Sequence, residues 1–98
     1  MSSPVDHLPP IHPGVFLRDE LDVLGLSARK FGGHIGVPHN AVTGIMNGDR
    51  AISAQMAIRL GKAFGTTPHY WLNLQAIYDL KVARAAMPAL EFSSYAAG

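Results

Sequence analysis

Residues 27–47 read SARKFGGHIGVPHNAVTGIMN, and the spacing of apolar residues in this stretch predicts two short helices joined by a tight turn. Apolar side chains that recur three or four positions apart share one face of a helix. Each of the two predicted helices carries one such pair, and a fifth apolar residue lies in the corner between them. These five residues are Phe31, Ile35, Val37, Val42 and Ile45.

Two glycines suit a sharp corner at this point of the chain. Gly36 lies where the chain must turn, so we expect a positive φ there, and Gly32 has no side chain to keep the second helix away from the first. Together with the apolar residues they form a helix-turn-helix pattern, whose second helix enters the major groove in DNA-binding proteins. An ordinary corner between two helices with no ligand has the same features, because a fold does not determine a function.

Length and composition indicate one globular domain. The chain has 98 residues, of which 48% are hydrophobic, which is enough for a single modest core. It contains no cysteine, which excludes disulfides, thiolate zinc sites and a thiol nucleophile. The N-terminus lacks the pattern of a secretory signal, and no apolar run approaches the roughly 20 residues that span a bilayer. We therefore expect no membrane partner, and the lack of cysteine fits a reducing compartment.

Positive charge is concentrated in one part of the chain. The net charge is only +1, but residues 13–26 are acidic on balance and residues 27–62 are basic. Such a concentration is the expected electrostatic signature of phosphate contact, although a basic surface that only faces water is the alternative. The basic residues in this region are Arg29, Lys30, Arg50, Arg59 and Lys62, against a single acidic residue, Asp49.

Capping residues divide the chain into five helices with short connections. Ser27, Ser53 and Thr67 are typical N-caps, Pro13, Pro38 and Pro68 suit a first helical position, and glycines end several of the segments. We predict an all-α bundle, with a flexible arm at 1–11, one domain at 12–86 and a flexible tail at 87–98. The predicted helices cover 13–24, the segment after Ser27, the segment from Pro38, 54–64 and 68–85, and the inner stripe of the first is Leu17, Leu21 and Leu24 beside Phe16.

Candidate DNA contacts lie on the second and third helices and the loop that follows. Arg29 and Lys30 fall in the first turn of a helix, where cations oppose the helix dipole and a docked phosphate would relieve that cost. Exposed basic residues that are merely tolerated are the alternative. On the third helix, an asparagine can pair with adenine and a threonine can contact a base. The candidates there are His39, Asn40 and Thr43, and Arg50 on the loop is the strongest candidate for a phosphate contact.

The fifth helix is apolar on more than one face. Trp71, Leu74 and Tyr78 can complete the core of one chain. A second stripe then remains exposed, and a homodimer interface is the simplest explanation because helix-turn-helix proteins usually bind two half-sites as dimers. The alternative is that one chain buries both stripes. The predicted dimer residues are Leu72, Ala76 and Leu80.

Three segments together resemble a known family. HPGVFLRDEL, LSARKFGGHIGVPHNAVTGIMNGDRAIS and MAIRLGKAFGTTPHYWLNLQAIYDL are similar to the HigA-type (VapI-like) antitoxins of the XRE helix-turn-helix class. The resemblance covers roughly residues 12–82. It implies a five-helix, lambda-repressor-like domain in a homodimeric, cytoplasmic antitoxin. Such a protein binds double-stranded operator DNA, represses its own toxin–antitoxin operon and neutralises a RelE-like ribonuclease toxin, with no cofactor and no metal.

The family pattern transfers to this chain position by position, with some departures. Ala28 stands where glutamine is common, Gly32 and Gly44 stand where larger residues are common, and Gln55 replaces an acidic residue. The DNA-facing residues that the resemblance implies are Ser27, Arg29, His39, Asn40, Thr43, Asn47 and Arg50.

Three other functions are compatible with parts of the sequence. One is a repressor of the same class with no toxin partner, and another is a protein-binding module that has lost DNA binding. An enzyme has the least support, because no serine has a nucleophile setting and His34 and His39 do not share one helix face as zinc ligands do.

Overall fold

The computed structural model describes residues 8–96, and within that range the chain forms five helices and no strand. The first and fourth helices have the predicted bounds, and the fifth is one residue longer than predicted. Pro38 is not the first helical residue, because its ψ of 148° is extended and it serves as the N-cap instead. The helices are α1 Pro13–Leu24, α2 Ala28–Ile35, α3 His39–Met46, α4 Ala54–Phe64 and α5 Pro68–Ala86.

Side chains cap the N-termini of four helices. The hydroxyls of Ser27, Ser53 and Thr67 accept backbone N–H groups at 3.1, 3.1 and 3.2 Å, as predicted. The fourth cap was not predicted: Nδ1 of His12 accepts the Gly14 N–H at 2.9 Å at the start of α1. Histidine is outside the usual set of N-cap residues, so the sequence contained no signal for it.

One core joins the helix-turn-helix to α4 and α5. Phe31 stacks on Phe64 with ring centroids 5.2 Å apart, and Phe64 in turn lies 5.8 Å from Trp71. Trp71 is 1% exposed, and its indole N–H donates to the hydroxyl of Thr66 at 3.0 Å. Phe64 of α4 therefore links α2 to the N-terminal half of α5 through aromatic contact.

Helix α1 crosses α3 at very short range. A Cβ at Gly14 would lie 1.8 Å from the carbonyl oxygen of Ile45, so only glycine allows this approach. Leu17 and Leu21 are buried as predicted, but Leu24 is 55% exposed and its predicted place in the core is wrong. The chain turns at Gly25, and Leu26 after the turn packs against the core instead.

No helix in residues 8–96 combines the length and the apolar character that a membrane crossing requires. The same residues contain no group of three or more potential metal-ligating side chains. Most of the predicted N-terminal arm, residues 1–7, lies outside the described residues, as do 97 and 98 of the predicted tail.

Candidate nucleic-acid interface

The turn between α2 and α3 has the geometry that the sequence predicts. Gly36 has a φ of +78°, in the left-handed region that favours glycine. A Cβ at Gly32 would lie 2.8 Å from the carbonyl oxygen of Val37 and 3.4 Å from Cα of His39. The same Gly32 accepts the Val37 N–H at 2.9 Å through its carbonyl oxygen. Close backbone contact thus fixes α3 against α2.

Helix α3 has a buried side and an accessible polar side. Val42 and Ile45 are 1% and 2% exposed, so they anchor the helix in the core. His39 and Asn40 are exposed and Thr43 is half-buried. The Thr43 hydroxyl donates to the backbone oxygen of Asn40 at 3.3 Å, which fixes its orientation. The predicted polar residues of α3 therefore lie together on its accessible side.

Three exposed basic side chains lie on the elements next to α3 in the chain. Arg29 and Lys30 are exposed in the first turn of α2, and Arg50 is exposed on the loop after α3. Within residues 8–96, none of these three side chains has a hydrogen bond or an ion pair. Ser27, also exposed, uses its hydroxyl oxygen to cap α2 by accepting the Lys30 N–H. The three cations are consequently available to an external anion.

The remaining basic residues of the 27–62 region lie elsewhere. Arg59 and Lys62 project from α4 and line a groove with His34 beside the C-terminal end of α2. The guanidinium of Arg59 donates to the carbonyl oxygen of Ile35, so it caps α2. The concentration of positive charge seen in the sequence therefore divides between two surfaces, of which only one adjoins α3.

Arg18 of α1 is a candidate that the sequence did not suggest. Its Nη2 donates to Oδ1 of Asn47 at 3.1 Å, which places another cation at the C-terminal end of α3. Arg18 is exposed, and 29 positions separate it from Asn47, so only the folded chain joins them. No acceptor within residues 8–96 bonds the side-chain amide N–H groups of Asn47, which leaves them available to an external acceptor.

Hydrogen bonds fix the loop after α3 at both of its ends. The N–H groups of Asp49 and Arg50 donate to the carbonyl oxygen of Gly44 at 2.8 and 3.0 Å. Two residues later, the Ile52 N–H donates to Oε1 of Gln75 in α5 at 2.8 Å. Gln75 is 7% exposed, and its Nε2 donates to Asp79 at 2.9 Å. Helix α5 thus holds the loop that carries Arg50.

The exposed apolar stripe of α5 differs from the predicted one. Leu72 is half-buried and packs against the core, so its predicted exposure is wrong. At the start of α5 the side chain of Trp71 points into the core, and the neighbouring Leu72 lies close enough to the core to be partly buried. Ala76 and Leu80 are exposed as predicted, and Ile77 joins them at 53% exposure. Within residues 8–96, the exposed apolar surface of α5 therefore includes Ala76, Ile77 and Leu80.

Comparison with known proteins agrees with this geometry. A helix-turn-helix family matches residues 17–71, more than half of the chain. The chain is 44% identical over 72 residues to virulence-associated protein A' of Dichelobacter nodosus, a match that covers 72% of this chain and 63% of that protein. The chain thus spans less than two thirds of that relative's length.

Solved structures are similar over more of their length. An addiction module antidote protein of the HigA family from Coxiella burnetii is 51% identical with a TM-score of 0.78, covering 80% of this chain and 86% of that one. Pseudomonas aeruginosa antitoxin HigA, solved with the higBA promoter, is 45% identical with a TM-score of 0.76, covering 79% and 85%. The chain belongs to the XRE-type helix-turn-helix family, in the group of the HigA antitoxins and the virulence-associated proteins, a family of regulators and not of enzymes.

Proposed function

We propose that this chain is the antitoxin of a toxin–antitoxin pair: it binds operator DNA as a homodimer, represses its own operon and neutralises a RelE-like ribonuclease. The observation that carries the proposal is the accessible side of α3 with Asn40 and Thr43, together with three exposed cations on the adjoining elements, Arg29, Lys30 and Arg50, that have no partner within residues 8–96. A polar helix face flanked by basic side chains suits a major groove bordered by phosphates.

The DNA contacts follow from the chemistry of each side chain. Asn40 can donate to and accept from the edge of an adenine, and Thr43 can contact a neighbouring base or a thymine methyl. Arg29 and Lys30 lie at the N-terminus of α2, where free N–H groups and positive side chains together suit a phosphate. The Pseudomonas aeruginosa relative, solved with its promoter, supports DNA as the ligand.

The exposed half of α5 supports a homodimer. Ala76, Ile77 and Leu80 form an apolar surface on a helix end that extends past the core. A second copy of the chain would cover this surface and would present two α3 helices to half-sites about one DNA turn, ~34 Å, apart. The operator is then expected to be palindromic.

Toxin neutralisation is proposed from family membership alone. The HigA-1 antitoxin of Vibrio cholerae and the Coxiella burnetii antidote protein are relatives named for that activity. We expect the product of the neighbouring gene to be the partner, and the proposed action on an operon and a ribosome-associated ribonuclease belongs in the cytoplasm.

Fluorescence anisotropy tests the DNA part of the proposal. The chain is titrated into its own promoter fragment and into a scrambled fragment of the same length across a salt series. We expect tight binding to the promoter alone, with an affinity that falls steeply as salt rises. Equal binding to both fragments, or binding to neither, would refute operator recognition and favour a protein-binding module.

Co-expression tests the toxin part independently. The neighbouring gene is induced alone and together with this chain, and growth is followed. Growth arrest that this chain relieves, with a stable complex on size exclusion, is the expected result. A neighbouring product that is harmless and does not bind would leave a repressor without a toxin.

A further inference from the structure

Arg50 follows α3 in the sequence, but its side chain lies back across that helix. A Cβ built at Gly44 would lie 2.8 Å from Cδ of Arg50, 2.9 Å from Cγ and 3.1 Å from Nε. The side chain of Arg50 therefore occupies the space that any larger residue at position 44 would need. Glycine at this position is what allows the arginine to cross the helix.

Position 44 belongs to the accessible side of α3. Residues three or four positions apart share a helix face, so Gly44 lies in line with Asn40 and Asn47, both of which are exposed. The side chain of Arg50 consequently lies on the surface that carries the other candidate base contacts. Helix α3 itself contains no arginine and no lysine.

The backbone around Arg50 is fixed while its guanidinium is free. The Arg50 N–H donates to the carbonyl oxygen of the same Gly44 whose missing side chain makes room for it. The Ile52 N–H is held by Gln75. No residue in 8–96 bonds the guanidinium, so its donors are available to a ligand. The backbone of Arg50 is thus fixed, whereas its guanidinium has unused hydrogen-bond donors.

We infer that Arg50 is a specificity-determining residue that reads a guanine through the major groove, and that Gly44 makes this possible. The inference rests on the proposed operator binding and names the base contact within it. Arginine pairs bidentately with O6 and N7 of guanine, the commonest specific contact in protein–DNA complexes. A purely phosphate-binding arginine would have no need to cross the recognition helix.

Single-base changes in the operator test this assignment. In the promoter fragment that the chain binds, each guanine is replaced in turn by 7-deazaguanine, which removes N7 and keeps the base pair and its charge. We expect one guanine per half-site at which the replacement weakens binding by the wild-type chain about 5- to 150-fold. Arg50→Ala should lose at least that factor on the unmodified operator, because it removes the bond to O6 as well as the bond to N7, and its binding should be indifferent to 7-deazaguanine at that position.

Gly44→Ala distinguishes a loss of the guanine contact from a loss of folding stability. Alanine favours a helix, and the atoms that it displaces belong to a flexible side chain, so thermal stability should stay the same or rise. Binding should nevertheless weaken at the same guanine, because Arg50 is pushed off the face. When Arg50→Ala is already present, Gly44→Ala should cause no further loss of affinity for the operator. Lys62→Ala removes the same charge from α4 and is the matched control, which should keep full guanine discrimination.

Two results would overturn the inference. In the first, Arg50→Ala weakens binding to operator and scrambled DNA by the same factor and lowers the salt slope by about 1. The variant also remains as sensitive to 7-deazaguanine as the wild-type chain. Arg50 would then be a phosphate contact. In the second, 7-deazaguanine weakens binding by the wild-type chain at no position, which would also mean that Arg50 reads no guanine. If the wild-type chain binds no promoter DNA at all, the proposed function fails, and the inference fails with it.

Discussion

The helix-turn-helix and helix α5 achieve their positions in opposite ways. Helices α2 and α3 have eight residues each, and backbone contacts at Gly32 and Gly14 hold them in place. Helix α5 has 19 residues, of which the N-terminal part packs on the core through the buried Trp71, whereas Ile77 and Leu80 in its C-terminal half are exposed. The short helices are held by backbone contact, whereas the long helix leaves part of its apolar surface exposed.

This difference indicates where each part meets its ligand. A recognition helix must be presented at a fixed height and angle, because base contacts tolerate little displacement. Glycine at a crossing provides that precision, since the two backbones themselves are in contact. The proposed dimer surface needs exposed apolar area instead, and Ile77 and Leu80 in the C-terminal half of α5 are the exposed apolar residues that would supply it. Gln75 joins the two regions through Ile52.

The largest expected change in folding stability comes from a substitution in the N-terminal half of α5. Trp71→Ala should lower the free energy of unfolding by about 3–5 kcal/mol, because it removes a fully buried ring that packs on Phe64 and leaves a cavity. Val23→Ala on α1, where the side chain is 84% exposed, is the control and should change stability by less than about 0.5 kcal/mol. Urea denaturation followed by circular dichroism measures both. A small loss for Trp71→Ala would place the core elsewhere.

Neighbouring glycines of α2 should respond in opposite directions. Gly32→Ala puts a methyl group 2.8 Å from the backbone oxygen of Val37 and should destabilise the fold by about 1–3 kcal/mol. Gly33→Ala meets nothing within 4 Å and should stabilise it by about 0.5–1 kcal/mol, because alanine favours a helix. Melting temperatures of the two variants give the comparison directly. Equal shifts of the same sign would mean that the two helices do not touch at Gly32.

Gln75 should contribute to stability through the loop that it holds. Gln75→Ala leaves the Ile52 N–H without its partner, which should cost about 1–3 kcal/mol in unfolding free energy. In the pair Gln75→Glu with Asp79→Asn, the carboxylate still accepts the Ile52 N–H and the new amide donates back, so most of the loss should be recovered. Asp79→Asn alone is the control, because Gln75 Nε2 can still donate to the amide oxygen. No recovery in the double variant would contradict this geometry.

The smallest change in monomer stability is expected at the exposed Leu80 in the C-terminal half of α5. Leu80→Asp should change monomer stability by only about 0.5 kcal/mol, since the side chain is half exposed, but it should convert dimers to monomers in light scattering. Val23→Asp on α1 should leave the dimer mass unchanged. Leu72→Asp should instead destabilise the fold, because Leu72 packs against the core. An unchanged mass for Leu80→Asp would place the dimer interface elsewhere.

Local signals in the sequence were sufficient for most of the fold. The caps at Ser27, Ser53 and Thr67 and the terminating glycines act within four residues of themselves, so the bounds of α1 and α4 were predicted without error. The mistakes were made where a residue's surroundings come from another helix. Leu24 belongs to the apolar stripe of α1 by spacing alone, but the chain turns away from the core at that point.

The same distinction applies to the proposed interface. The sequence by itself determined the turn at Gly36, the polar side of α3 and the presence of basic residues nearby, because periodicity, a positive φ and charge are local properties. Only the tertiary structure decided which cations adjoin α3: Arg59 was turned toward α2, and Arg18 was brought to Asn47. The placement of Arg50 across Gly44 was decided in the same way, since a side chain's neighbours depend on how the backbone folds around it.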